Sequence, residues 1–176
     1  MEIVDPDPFW PALYESEARR LARDLGAALR ALEHIGSTAV PGLAAKPVLD
    51  IMAAVDSLEE ADARLPALAG SGYALHATGM RERLFLQRAA QPGRPAVNLH
   101  IVTLASWPRR KERRFRDRLR AHPEEAAAYA ALKRALASRF GADMEGYTRA
   151  KTALIQEIMD RAADASGHPR EDVWET

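Results

Sequence analysis

The chain has 176 residues, 47% apolar and 28% charged, with 25 basic and 25 acidic side chains and no cysteine. That length and balance fit one folded domain around one substantial core and exclude a largely disordered chain. The missing cysteine excludes disulfides, thiolate metal sites and a cysteine nucleophile.

Pro6, Pro8 and Pro11 mark an extended start and then a helix entry. Leu21, Leu25, Leu29 and Leu32 recur at helical spacing, so a first helix is expected over Pro11 to Leu32. Glu33 to Ile35 reads as a short strand running into Gly36-Ser37. Val48 to Val55 is apolar except for Asp50 and reads as a buried strand. Ser57 is placed to cap a helix across Leu58 to Ala69, with Gly70 ending it. Gly72 to His76, Leu84 to Arg88 and Val97 to Leu104 read as three more strands, and Gln91-Pro92-Gly93-Arg94-Pro95 as the turn between the last two. Three helices follow. One starts after Pro108, the next covers Pro123 to Phe140, and the last covers Asp143 to Ala163, with Tyr147, Leu154 and Ile158 on one face. Strands grouped in the middle predict a single α/β (α+β) domain over residues 1–176. It would be a small mixed or mostly antiparallel sheet with helices packed around it.

The most informative run is His34-Ile35-Gly36-Ser37-Thr38-Ala39-Val40-Pro41-Gly42-Leu43-Ala44-Ala45-Lys46-Pro47-Val48-Leu49-Asp50-Ile51. A Gly-Ser pair after a short strand permits a tight turn with bare backbone N–H groups. Such groups, with a serine hydroxyl, can hold a phosphate. Asp50 then enters on a buried strand, where a carboxylate must be paired, hydrogen-bonded or metal-bound. The bland alternatives are a serine-capped turn and an acid satisfied by backbone N–H groups.

This run closely resembles the signature of the GrpB family, a largely uncharacterised group of the nucleotidyltransferase superfamily. Arg81-Glu82-Arg83-Leu84-Phe85, Asn98-Leu99-His100-Ile101-Val102, Phe115 to Arg120, Tyr129 with Lys133, and Tyr147 with Lys151 look like further family blocks in order. The resemblance spans roughly Trp10 to Ala162. It implies a nucleotidyltransferase-like fold. It also implies a Gly-Ser turn that contacts nucleotide phosphates, and a strand carboxylate that holds magnesium for in-line attack on an α-phosphate. Some GrpB-like domains are fused to dephospho-coenzyme A kinase, which suggests a link to coenzyme A or nucleotide metabolism.

The carboxylates of an active nucleotidyltransferase are scarce here. Strand alternation puts residue 52 beside Asp50, and residue 52 is Met52. His100 shares a face with Asn98 and stands where a third acid is expected. Asp50 and His100 are therefore the candidate catalytic pair. They are also the candidate ligands for magnesium or a softer divalent metal, with His34 as an added ligand in the second case. Gly36, Ser37, Lys46, Arg83, Arg116 and Lys151 are the candidate phosphate or nucleotide contacts. Lys151 follows Tyr147 by four residues, which places it beside an apolar helix face, and Lys133 repeats that spacing after Tyr129. The function expected is binding of a nucleotide or other phosphorylated small molecule, extending to nucleotidyl transfer by a degenerate metal site. The alternative is a non-catalytic binding module derived from such enzymes.

The neutral total hides a basic patch. Arg109 to Arg120 holds eight Lys or Arg and two acids, leaving +6 there and −6 elsewhere. Arg109, Arg113, Arg116 and Arg120 form a row at helical spacing. The row reads either as a phosphate or nucleic-acid surface or as an ordinary charged helix face. The second reading is favoured, because aromatic interleaving is slight. No apolar run approaches a membrane span, and Met1-Glu2-Ile3-Val4-Asp5 lacks the basic start and apolar core of an export signal. A cytoplasmic protein without a membrane partner is expected. The sequence leaves oligomeric state open.

Overall fold

The structure, a computed structural model, describes residues 2–80, 82–167 and 169–173, with the side chain of Met144 left out. Arg81, which belongs to one of the sequence blocks above, lies outside the described residues. The helices are α1 (Trp10–Leu25), α2 (Leu58–Asp62), α3 (Leu65–Gly70), α4 (Lys111–Ala121), α5 (Pro123–Phe140) and α6 (Met144–Ser166). The strands are β1 (Ala31–Ile35), β2 (Val48–Val55), β3 (Ala74–His76), β4 (Arg83–Arg88) and β5 (Ala96–Thr103). They form one mixed sheet in the order β1-β2-β5-β4-β3. Only the central β2–β5 pair is parallel. A parallel neighbour needs a crossover, and the stretch from α2 to β4 supplies it.

Alternation along β2 and β5 divides the molecule into two layers. Leu49, Ile51, Ala53 and Val55 of β2 join Val97, Leu99 and Ile101 of β5 on one face. There they pack against Trp10, Leu21 and Leu25 of α1, Ala61 of α2 and Leu68 of α3. The opposite face carries Met52, Ala54 and Val102, covered by Trp107. Farther out, Leu119, Tyr129, Ala130 and Ile158 join α4, α5 and α6 to the loop around Val40 to Ala44. The same alternation points Asp50, Asn98 and His100 into this second layer.

Two helices differ from expectation. The first stops at Leu25, where Gly26 turns the chain with φ +54°. Leu29 and Leu32 keep the helical spacing by coincidence. Leu32 belongs to β1, and both pack on the core from extended backbone. The helix expected over Leu58 to Ala69 is capped by Ser57 Oγ, which accepts from the Glu60 N–H at 3.3 Å, but it breaks into α2 and α3. Pro66 has no N–H to continue the first helix and sits where proline is tolerated, in the first turn of the second.

One buried cluster pins α1 to the β4–β5 hairpin. Glu17 accepts from Arg88 and Arg94, both at 3.2 Å, and from the Tyr73 hydroxyl at 2.8 Å. Burial followed by the nearby Glu17 charge pushes the Tyr73 phenol up, so it stays protonated and donates. No described helix is long and apolar enough to cross a membrane.

Candidate functional site

β1 ends at Ile35, and the chain must turn sharply to re-enter the sheet as β2. Gly36 makes that turn with φ +71° and ψ −171°, a region essentially restricted to glycine. A second constraint acts at the same position. A Cβ on residue 36 would lie 2.3 Å from Oδ2 of Asp50, so the bare glycine is what lets the carboxylate sit against the turn. Gly36 and Asp50, fourteen residues apart in sequence, are thereby brought against each other.

Asp50 lies opposite Asn98 in the parallel ladder, and Met52 opposite His100. The Asn98 amide donates to Asp50 Oδ1 at 2.8 Å, and Gln87 of β4 donates to Asn98 Oδ1 at 2.9 Å. This relay fixes the Asn98 amide and aims its N–H at the carboxylate. Burial raises the Asp50 carboxyl, opposed by the Asn98 hydrogen bond and then by the charges of Lys151, Lys46 and Lys133.

Those three lysines come from three segments. Lys46 precedes β2. Lys133 is on α5, almost wholly buried, and donates to Ser37 Oγ at 2.8 Å and to the Ala44 carbonyl at 2.5 Å. Its ammonium also stands 4.7 Å from the centre of the Tyr129 ring. Lys151 is on α6. Lys151 and Lys46 share one aromatic ring, that of Tyr147, at 4.6 and 4.8 Å from its centre. Burial pulls Lys133 down from 10.5 to about 7, and the neighbouring Lys151 charge adds to it. Burial, with help from Lys46, brings Lys151 down to about 8. Lys46 is lowered as well, again by burial. Ser37, Lys46, Asp50, Asn98, Lys133 and Lys151 all line one cleft of about 780 Å³.

Of the remaining sequence candidates, His100 lines a smaller cavity of about 300 Å³ together with Gly36, Ser37, Asp50 and Lys151, and the others are elsewhere. His100 faces the same layer as Asp50 but is engaged by Arg83, whose Nη1 lies 3.2 Å from His100 Nδ1 and 2.7 Å from Glu112. A guanidinium only donates, so Nδ1 accepts and the proton of the neutral ring sits on Nε2. Burial and then the Arg83 charge hold this imidazole near 4. Arg83 is itself buried and does not line the large cleft. Arg116 does not reach the cleft either. It pairs with Glu33 at 2.6 Å, donates to the His34 carbonyl at 2.8 Å and lines a separate groove beside α1. His34 is on the far face of the sheet, stacked on Tyr14 at 4.8 Å and hydrogen-bonded to Thr38, so it cannot join Asp50 and His100 around one ion. Conversely, Lys133 and Asn98 were not among the sequence candidates for contact. Lys133 carried a signal, the Tyr129-x-x-x-Lys133 spacing that repeats Tyr147-x-x-x-Lys151. Asn98 carried none, because its role depends on which strand lies beside β2.

The donor set does not fit a divalent cation. Magnesium wants several oxygen ligands. Here one carboxylate faces a donated amide N–H and a shell of ammonium groups, with the Met52 thioether buried where a second acid is required. Among the described residues, no three His, Asp or Glu side chains converge on one point.

The comparisons with known proteins agree with this architecture. The GrpB protein family matches residues 1–161. A UPF0157 protein of Pseudomonas aeruginosa is 36% identical over 173 residues, covering 96% of this chain and 70% of that protein. A dephospho-CoA kinase of Mycolicibacterium paratuberculosis is 33% identical across 95% of this chain, but the match takes in only 48% of the kinase. Among solved structures, the conserved protein GrpB from Enterococcus faecalis superposes with a TM-score of 0.84 at 29% identity, covering 95% of this chain and all of that one. Terminal uridylyl transferase 4 from Trypanosoma brucei superposes with a TM-score of 0.51 at 14% identity, over 85% of this chain and 50% of that one, a likeness of fold alone. The chain belongs to the GrpB family, and its fold is nucleotidyltransferase-like.

Proposed function

We propose that this chain binds a nucleotide or another phosphorylated small molecule in the cleft beside Gly36 and Ser37. The observation that carries this reading is the convergence of Lys46, Lys133 and Lys151 around a single carboxylate at a cleft wall. Two of these ammonium groups are held well below their ordinary pKa, chiefly by burial. Such a site relaxes when an anion arrives, because the anion restores the charge balance that burial upset. A cleft of about 780 Å³ is within the range that holds small-molecule ligands and cofactors.

Within this reading, a binding module is favoured over nucleotidyl transfer. The in-line mechanism asks for several carboxylates to hold the cations that align the attack, and Met52 is fully buried in the place of one of them. The match to part of a dephospho-CoA kinase makes coenzyme A precursors a ligand class to test beside nucleotides.

The test is a thermal-shift screen of nucleotides and coenzyme A precursors, read as the ligand-induced change within each variant. A ligand at about 100 times its Kd adds roughly 2.7 kcal/mol to stability. The expected result is a shift in the wild type that is lost in Lys133→Ala and in Lys151→Ala. The reading fails if no phosphorylated compound shifts the wild type, or if the shift survives both substitutions. Release of pyrophosphate with transfer to an acceptor would restore the enzyme reading.

A further inference from the structure

The lysine cluster surrounds the one carboxylate of the cleft, and its hydrogen bonds show what it can do. Lys133 has three N–H donors. Ser37 Oγ and the Ala44 carbonyl take two of them, which locks the ammonium in place and leaves one donor directed elsewhere. Ser37 Oγ accepts from Lys133 and is also hydrogen-bonded to Tyr129, which holds the serine in place. Lys151 lines the same cleft, held over the Tyr147 ring. On the sheet side, Asp50 Oδ1 is taken by the Asn98 amide, which Gln87 keeps from turning over. The groups facing the cleft at this point are therefore donors and positive charges, except for the rest of one carboxylate. A divalent cation placed beside Asp50 would meet an N–H on one side and ammonium groups on the other. A free phosphate meets the complement of its own oxygens.

We propose that the ammonium groups of Lys133 and Lys151 take the place of the divalent cation, so that the site accepts its phosphate uncomplexed and excludes the magnesium complex. This rests on the reading above that the ligand carries a phosphate, and it adds the form in which that phosphate arrives. Two features of the geometry support it. The strand position facing Asp50 holds an amide, which donates to the carboxylate and occupies one of its oxygens. The two lysines are carried on separate helices, α5 and α6, which reach over the same end of the sheet, so the positive charge is built from outside the β2–β5 ladder.

The experiment is calorimetric titration of the wild type with ADP and with inorganic pyrophosphate, once in EDTA and once with magnesium at a concentration that complexes about nine-tenths of the ligand. If only the free form binds, the apparent Kd rises about tenfold in magnesium, in proportion to the uncomplexed fraction that remains. Binding that appears or tightens in magnesium overturns the inference and leaves phosphate binding standing. An unchanged Kd also overturns it, since the site would then not distinguish the two forms. Binding of neither probe under either condition removes the phosphate reading and this inference together. Asn98→Asp provides the converse. It sets a second carboxylate opposite Asp50, and the expected result is manganese binding, seen as loss of the free-ion resonance signal, where the wild type shows none. Stoichiometric manganese binding by the wild type would sink the proposal.

Discussion

Two regions of this molecule are rich in cations, and they treat them in opposite ways. Along α4, Arg113, Arg116, Arg118 and Arg120 each have an acceptor within the chain. Arg113 grips Glu33 with two hydrogen bonds of 3.0 and 2.8 Å and lies 4.5 Å from the Trp107 ring centre. Arg116 reaches Glu33 and the His34 carbonyl, Arg120 the Ala39 carbonyl, and Arg118 both oxygens of Glu125 at 2.8 Å. In the cleft, three lysines face one acid. The carboxylate shifts record the difference. Burial raises Glu33, but the hydrogen bonds from Arg113 and Arg116 outweigh it and hold the group low. Hydrogen bonds from Arg118 bring Glu125 to about 2. At Asp50 burial wins and the carboxyl is raised. The guanidinium, planar and always charged, fastens β1 and the following turn to α4. The ammonium, whose pKa shifts readily, stands around the one carboxylate of the cleft. A run of basic residues in sequence thus marks a clamp, while the cations of the cleft come from three separate segments.

This contrast breaks most visibly on the clamp side. Glu33→Ala takes from the buried Arg116 guanidinium one of its two carboxylates, leaving Asp117, and removes the bidentate partner of Arg113. Losing one partner of a buried pair typically costs 3–5 kcal/mol, and the half-open position of Glu33 argues for the lower end, about 3 kcal/mol. For a chain of this size that lowers Tm by roughly 6–12 °C. The ligand-induced thermal shift should survive, because neither Glu33 nor Arg116 lines the large cleft. Loss of that shift in a folded Glu33→Ala protein would mean the two regions are not separable. Gly36→Ala acts where the two regions meet. The backbone there costs about 1–3 kcal/mol for any other residue, and the new Cβ must also displace Asp50 Oδ2. Expected are a smaller fall in Tm than for Glu33→Ala and loss of the ligand response, measured in the same melts.

Much of the fold was legible because its signals are local. β2 ends where its apolar run ends, from Val48 to Val55, and Ser57 caps the next helix as its position suggested. The errors fell where two periodicities agree by accident, as at Leu29 and Leu32, or where proline splits a helical run, as at Pro66. The site was legible in outline. Gly36, Ser37, Lys46, Asp50 and Lys151 are together. Arg83, Arg116 and His34 had the right chemistry but point into other surroundings. A sequence shows which face of a strand a residue takes, but not which strand lies beside it. That is why the hydrogen bond from Asn98 to Asp50 follows only from the β2–β5 pairing. Lys133 is a similar case on a helix, since its distance from Ser37 depends on how α5 packs.

The smallest effect is also the most diagnostic, because its sign changes with pH. Lys133 titrates near 7 in the folded chain and near 10.5 when unfolded. Below pH 7 it is charged in both states, and the fold bears the full cost of burying that charge. Between pH 7 and 10.5 the unfolded chain binds more protons, so the contribution of Lys133 to stability improves as pH rises. Lys133→Met removes the buried charge together with two hydrogen bonds worth about 1 kcal/mol each. Below pH 7 the relieved burial outweighs those bonds, and the variant should melt a few degrees higher than the wild type. Near pH 10.5 only the lost bonds remain, and it should melt slightly lower. Paired melts at pH 6 and pH 10.5 decide the matter. A variant that is less stable at both would show that Lys133 is fully compensated like the arginines of α4, and the distinction between the two regions would collapse.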